Sequence, residues 1–211
     1  MEAISRNFSS NDWITLVFII AFILIALMKL YKPQLLFGYA ISFFSQGFIE
    51  NRVDKKPSIF STFHVLIFLL TVLMFSLALY FTINTSFKPS VNLYLIILVG
   101  LSSYMVIKYV LLAIIAKIVN IEDNTRYFIF SKSGYLYTIS IWLFPILVMF
   151  QYGYSNVQIL LFFIFVLFLF RALLIIKNNK NLIFNNFFYF ILYFCTLELA
   201  PLLIIYKTTT S

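Results

Sequence analysis

No charged residue lies between Lys132 and Arg171, and the 38 residues between them are mostly leucine, phenylalanine, isoleucine and tyrosine. One membrane-spanning helix needs only about 20 apolar residues, so this run is too long for a single crossing. Soluble domains carry about 25% charged residues, whereas this 211-residue chain is 10% charged and 63% hydrophobic. We therefore expect an all-α, polytopic membrane helix bundle.

The apolar runs divide the chain into about six transmembrane helices within one integral membrane domain, residues 1–211. The polar sequence QYGYSN at 151–156 contains Gly153 and predicts a tight hairpin inside the long uncharged run. The first apolar run is expected to be retained as a span because no signal-cleavage pattern follows it. The predicted spans are 13–30, 58–83, 92–117, 135–151, 157–176 and 186–206.

Basic residues are distributed unevenly between the two sides of this arrangement. Eleven of the 15 Lys and Arg residues fall in the connections 29–57, 117–134 and 171–185, and three fall in the termini and the remaining loops. Cytoplasmic loops carry the excess of Lys and Arg in membrane proteins. We therefore predict that these three connections are cytoplasmic and that both termini lie outside, which in a bacterium is the periplasm.

Residues 34–49 are predicted to form a further helix after the first span. Their polar positions, Gln34, Gly38, Ser42, Ser45 and Gln46, fall within one arc of a helical wheel. This pattern favours an interfacial amphipathic helix near anionic lipid headgroups. A helix packed under the bundle is an equal alternative. The charged stretch 120–134 is predicted to be a short cytoplasmic loop.

Four ionisable residues lie inside predicted spans, where such groups are expensive and often functional. Arg171 lies about 9 Å of helical rise from Lys177, so its side chain can reach the headgroups, which favours a structural role. His64 has no second ligand at helical spacing and makes a poor metal site. We expect His64 to form a hydrogen-bonded contact between helices.

Lys108 and Glu198 are the deepest base and the one acid inside the predicted spans. Helical rise places them about 13 Å and 18 Å from the cytoplasmic ends of their spans. Since an opposite charge offsets the cost of burial, we predict an ion pair between the third and sixth spans. The pair is either part of an ion or proton relay or a structural bridge, and the lack of further acids favours the bridge.

Two prolines interrupt predicted spans. Pro201 has no amide proton, so the carbonyl of Leu197, next to Glu198, loses its helical donor and a kink is favoured. Pro145 has the same effect on the carbonyl of Ile141. These residues are the predicted helix kinks.

The sequence offers little for catalysis. It has one histidine, one cysteine and seven acidic residues, and it lacks the motifs of metalloproteases, serine hydrolases and P-loop enzymes. We therefore expect no enzyme activity, no cofactor and no metal site. The basic residues lie between apolar runs and not on one face, so nucleic-acid binding is not expected either.

Short motifs along the chain resemble a known family. They are NDW at 11–13, SSYMVIK at 102–108, LFP at 143–145 and YFCTLELAPLLIIYK at 193–207. Together they resemble an uncharacterised bacterial multi-pass membrane family, domain of unknown function 4271. The resemblance covers nearly the whole chain and implies a bacterial inner-membrane location, with no activity and no functional residues to transfer.

The leading functional prediction is a non-enzymatic inner-membrane protein that is a subunit or scaffold of a cell-envelope complex. Its expected partners are the lipid bilayer and other membrane proteins or further copies of the chain. The alternative is a small transporter or channel that uses Lys108 and Glu198.

Overall fold

The computed structural model describes residues 12–43, 48, 61–83, 90–118, 122–153 and 156–178. Within these residues the secondary structure is entirely helical, which confirms the predicted all-α class. The predicted sixth span, 186–206, lies outside the described residues. The helices are α1 (Asp12–Tyr31), α2 (Pro33–Ile41), α3 (Thr62–Ile83), α4 (Val91–Ile118), α5 (Glu122–Tyr152) and α6 (Val157–Asn178).

Five of these helices are long and apolar enough to cross a membrane. Their apolar segments overlap the first five predicted spans. The chain divides into two compact units, residues 1–171 and residues 172–211, and the described part of the second unit is the end of α6. The qualifying segments are Asp12–Tyr31, Thr62–Ile83, Val91–Val110, Ser133–Tyr152 and Val157–Leu174.

Helix α3 is the central element of the first unit. It packs against α1, α4 and α5, while α2 packs against α1 and α5. Over 60% of the α3 apolar segment is buried, compared with 6% of the apolar segments of α4 and α6. The largest fully buried side chains lie on α1, α3 and α5, and they are Ile14, Met28, Phe63, Ile67, Leu70, Met74, Leu77, Tyr80, Tyr135, Ile139, Leu143 and Leu147.

Polar residues define several helix ends. The Ser90 side chain accepts a hydrogen bond from the Leu93 amide at the start of α4, and Asn156 Oδ1 accepts one from the Gln158 amide at the start of α6. Such side chains satisfy amide groups that have no partner within the helix. At the end of α5, the Gly153 amide donates to the carbonyl of Met149 over 2.8 Å. The chain thus turns where the sequence predicted a hairpin.

Helix α2 packs against the bundle along one side. Tyr39 and Ser42 are buried, and the Tyr39 ring stacks on Phe63 of α3 with centroids 6.0 Å apart. Among the described residues α2 is therefore packed against the bundle, and its position relative to a membrane interface stays a prediction. Of the predicted polar arc, Gln34 is exposed, Gly38 lies against the Phe48 ring and Ser42 faces α5, while Ser45 and Gln46 lie outside the described residues.

The prediction of a loop over 120–134 is wrong for residues 122–134, which form the first turns of α5. Two features explain the helix. Its sequence begins with two acidic residues, a residue type that favours the N-terminus of a helix. The apolar residues 127–130 then continue the helix into the span.

Candidate functional site: polar groups within the bundle

Buried hydroxyl groups connect the central helices. Thr71 Oγ1 on α3 lies 3.1 Å from Ser140 Oγ on α5, near the middle of both apolar segments. Ser42 Oγ lies 2.5 Å from Thr138 Oγ1. In an apolar environment an unpaired hydroxyl is costly, so these contacts fix which faces of α2, α3 and α5 meet.

The Thr71 and Ser140 hydroxyl groups also bond to carbonyl groups of their own helices. Thr71 Oγ1 lies 2.7 Å from the carbonyl oxygen of Ile67, and Ser140 Oγ donates to the carbonyl of Tyr137 over 2.7 Å. A hydroxyl that can bond its own helix carries little cost when buried, and the contact to the neighbouring helix adds geometric specificity. The arrangement is suited to helix packing and holds no ionised group.

An aromatic cluster lies at the end of the bundle where α1 and α4 begin. The rings of Trp13 and Tyr80 meet edge to face with centroids 5.1 Å apart, and Tyr94 lies 5.1 Å from Trp13. The Ser76 hydroxyl donates to the Tyr94 hydroxyl over 3.3 Å. Aromatic residues of this kind are typical of the membrane–water interface.

A second tyrosine cluster lies at the opposite end. Tyr137 contacts the Tyr39 ring edge to face at 6.0 Å and hydrogen-bonds through its hydroxyl to Tyr109 and Ser133. Tyr39 of α2, Tyr109 of α4 and Tyr137 of α5 therefore lie together in this cluster.

His64 is buried at the start of α3. Its Nδ1 atom lies 2.5 Å from Ser61 Oγ, one turn earlier in the chain. This bond is local to the helix terminus, and the contact between helices expected from the sequence stays a prediction. Among the described residues no group of three His, Cys, Asp or Glu side chains could hold a metal ion.

Lys108 is half-buried on α4, and its Nζ atom lies 5.6 Å from the centroid of the Tyr104 ring. Its neighbour Tyr109 contacts Phe68 of α3 with ring centroids 6.3 Å apart. Since α3 begins at Thr62, Lys108 lies level with the second turn of that helix, about 9 Å of helical rise from its start. Along its own helix, Lys108 lies about 15 Å of helical rise before the end of α4 at Ile118.

Arg171 and Pro145 occupy less central positions. Arg171 is half-buried on α6, three residues before the end of its apolar segment, which agrees with a side chain that reaches the interface. Pro145 is exposed and lies inside α5, which continues as a helix to Tyr152. Its interruption of the hydrogen-bond ladder therefore does not end the span.

Glu198 and Pro201 lie outside the described residues, so the Lys108–Glu198 pair stays a prediction. Of the predicted candidates within the described residues, His64 and Lys108 lie towards the same end of the bundle, near the first turns of α3.

Sequence reasoning missed the hydroxyl contacts. The available signal was the spacing of Ser133, Tyr137 and Ser140, which places all three on one face of α5.

Residues 14–209 match the protein family described as a domain of unknown function, DUF4271. No curated protein and no solved structure matches the chain. The match covers nearly the whole sequence and includes all of the polar positions considered above. The resemblance noted from the short motifs is confirmed: the chain belongs to the DUF4271 family.

Proposed function

We propose that the chain is a non-enzymatic, multi-pass protein of the bacterial inner membrane that acts as a subunit or scaffold of a cell-envelope complex. In this proposal both termini are periplasmic, as the distribution of Lys and Arg predicts. Its partners are other membrane proteins or further copies of the chain.

One observation carries the proposal. Polar groups inside the described bundle are mainly hydroxyls that bond to their own helix or to a neighbouring helix, as Thr71, Ser140 and Thr138 do. Such groups stabilise one packed arrangement. These three hydroxyls bond to carbonyl or hydroxyl oxygens and to no base, whereas Ser61 lies beside the ring of His64 at the start of α3.

The peripheral helices support the same proposal. The apolar segments of α4 and α6 are only 6% buried, and their exposed residues include Ile96, Val99, Phe162 and Phe165. In a bilayer these faces contact lipid or another membrane helix. Among the described residues, these exposed apolar faces are available for packing with another membrane helix as well as for contact with lipid.

The alternative, a small transporter or channel, depends on Lys108 and Glu198. It requires Glu198 to change its protonation or binding state during transport. Because Glu198 lies outside the described residues, this alternative rests on the predicted Lys108–Glu198 pair.

Affinity purification from native membranes in mild detergent tests the proposal. We expect at least one other envelope protein to co-purify in a fixed ratio that survives a second purification step. An unrelated multi-pass protein with the same tag and abundance is the matched control. Recovery of the tagged chain with only those proteins that also accompany the control contradicts the proposal.

A further inference from the structure

The corner between α1 and α2 carries exposed apolar side chains and exposed basic side chains. Leu30 is 81% exposed, Phe37 is 69% exposed and Tyr31 is 61% exposed. Lys29 and Lys32 are exposed between them. Leu30 is the most exposed large hydrophobic residue in the described part of the chain.

Backbone hydrogen bonds fix the geometry of this corner. Lys32 alone separates the two helices. Its amide donates to the carbonyl of Met28 over 3.0 Å, and its carbonyl accepts from the amides of Leu35 and Leu36 over 3.1 Å and 3.3 Å. The direction of the chain is therefore set by hydrogen bonds on both sides of the bend.

From the corner, α2 runs back along the bundle towards the membrane interior. Trp142 Nε1 donates to the carbonyl of Ala40 over 2.9 Å, and Ser42 contacts Thr138. Thr138 and Trp142 lie about 7.5 Å and 13.5 Å of helical rise beyond Ser133, where the apolar segment of α5 begins. The final carbonyls of α2 thus have protein donors, as a helix end within a bilayer requires.

The charge of the corner is positive. Among the residues whose side chains the structure describes, the one acidic residue is Asp12, and it lies at the opposite end of α1 from Lys29. The two exposed ammonium groups of Lys29 and Lys32 complement a phosphate. The adjacent apolar side chains complement the start of an acyl chain.

We propose that this corner binds an anionic phospholipid of the adjacent leaflet. The ammonium groups of Lys29 and Lys32 contact the charged headgroup, and Leu30 and Phe37 contact the acyl chain. The buried end of α2 holds both parts of the site in place. Each lysine near an anionic membrane surface contributes about a fivefold preference, corresponding to about 1 kcal/mol.

Tryptophan quenching by brominated lipid tests this site. The chain has two Trp residues, and the full-length Trp13→Phe variant leaves Trp142 next to α2 as the single reporter. The protein is placed in nanodiscs that contain equal fractions of phosphatidylglycerol and phosphatidylcholine, with either lipid brominated. We expect the ratio of quenching to show at least a fivefold preference for phosphatidylglycerol.

Charge variants locate the preference. Lys29→Gln with Lys32→Gln should bring the ratio to about one, whereas Lys29→Arg with Lys32→Arg should preserve it. Lys177→Gln with Lys180→Gln removes the same charge elsewhere and should leave the ratio unchanged. Each single Gln variant provides the same comparison if the double variant fails to fold.

Two results would overturn the proposal. The first is equal quenching by the two lipids in the Trp13→Phe protein itself. The second is an equal loss of preference in the Lys177/Lys180 variant, because this would show that only net charge attracts the lipid.

Discussion

The hydrogen bond from Trp142 to α2 provides a quantitative test of how the short helix is held. Trp142→Phe keeps an aromatic ring and removes the indole N–H that donates to the Ala40 carbonyl over 2.9 Å. That carbonyl belongs to the last turn of α2, where no amide of the same helix is available. The substitution therefore leaves an acceptor without its donor.

The expected cost follows from the surroundings of the bond. Hydrogen bonds between membrane helices contribute about 0.6 kcal/mol on average and at most about 1.7 kcal/mol. An unsatisfied buried acceptor costs about 1–3 kcal/mol. Because Trp142 is 39% exposed, we expect a loss near the middle of these values. A loss of about 1–1.5 kcal/mol lowers the folding equilibrium constant about fivefold to tenfold.

Unfolding by SDS in mixed micelles, followed by far-ultraviolet circular dichroism, measures this loss. Trp13→Phe is the matched control, because it makes the same chemical change in the aromatic cluster at the other end of the bundle. Adding Ser42→Ala should weaken the same end of α2 further. If Trp142→Phe unfolds at the wild-type midpoint, the hydrogen bond contributes nothing to stability and the account of α2 is wrong.

Four further predictions follow from the packing. A double-mutant cycle of Thr71→Val and Ser140→Ala should give a coupling free energy of about 0.6 kcal/mol in SDS unfolding, and strict additivity would contradict the contact between α3 and α5. Ala21→Leu should destabilise by about 1–3 kcal/mol because Ala21 is fully buried, whereas Ala26→Leu on the exposed face should be nearly neutral; equal effects would refute the assigned core face of α1. Gly153→Ala should lower the thermal midpoint because its Cβ would lie 2.7 Å from the Met149 carbonyl, while Gly100→Ala, with open space around it, should be neutral or stabilising by up to about 1 kcal/mol. Lys108→Met and Glu198→Leu should each reduce membrane abundance and restore it when combined if the predicted pair is structural; normal abundance of Glu198→Gln with loss of proton movement in liposomes would instead favour transport.

The lengths of the apolar runs predicted the class of fold because a bilayer demands about 20 apolar residues for each crossing. They did not predict which face of each helix is buried. In α1, Ile14 and Val17 are buried while Leu16 and Ile20 are exposed, although all four are aliphatic. Lipid and protein interior select the same side chains, so hydrophobicity alone does not distinguish the two faces.

Polar residues were harder to interpret than apolar ones. Gly38 and Ser42 look like the polar side of an amphipathic helix, yet Gly38 lies against Phe48 and Ser42 bonds to Thr138. Within a bundle, small and hydroxyl residues mark close helix contacts as often as exposure to water. The charged start of α5 was interpreted as a loop for a similar reason, since acidic residues are favoured at helix N-termini as well as in loops.

The mass of the native assembly tests the proposed scaffold function most directly. Membranes that contain the tagged chain at natural abundance can be extracted into polymer-bounded lipid discs without detergent, and the intact protein assembly weighed by native mass spectrometry. We predict a discrete mass well above the 24.8 kDa of one chain, with a fixed composition of this protein and its partners. A single species of one chain with bound lipid alone would contradict the account.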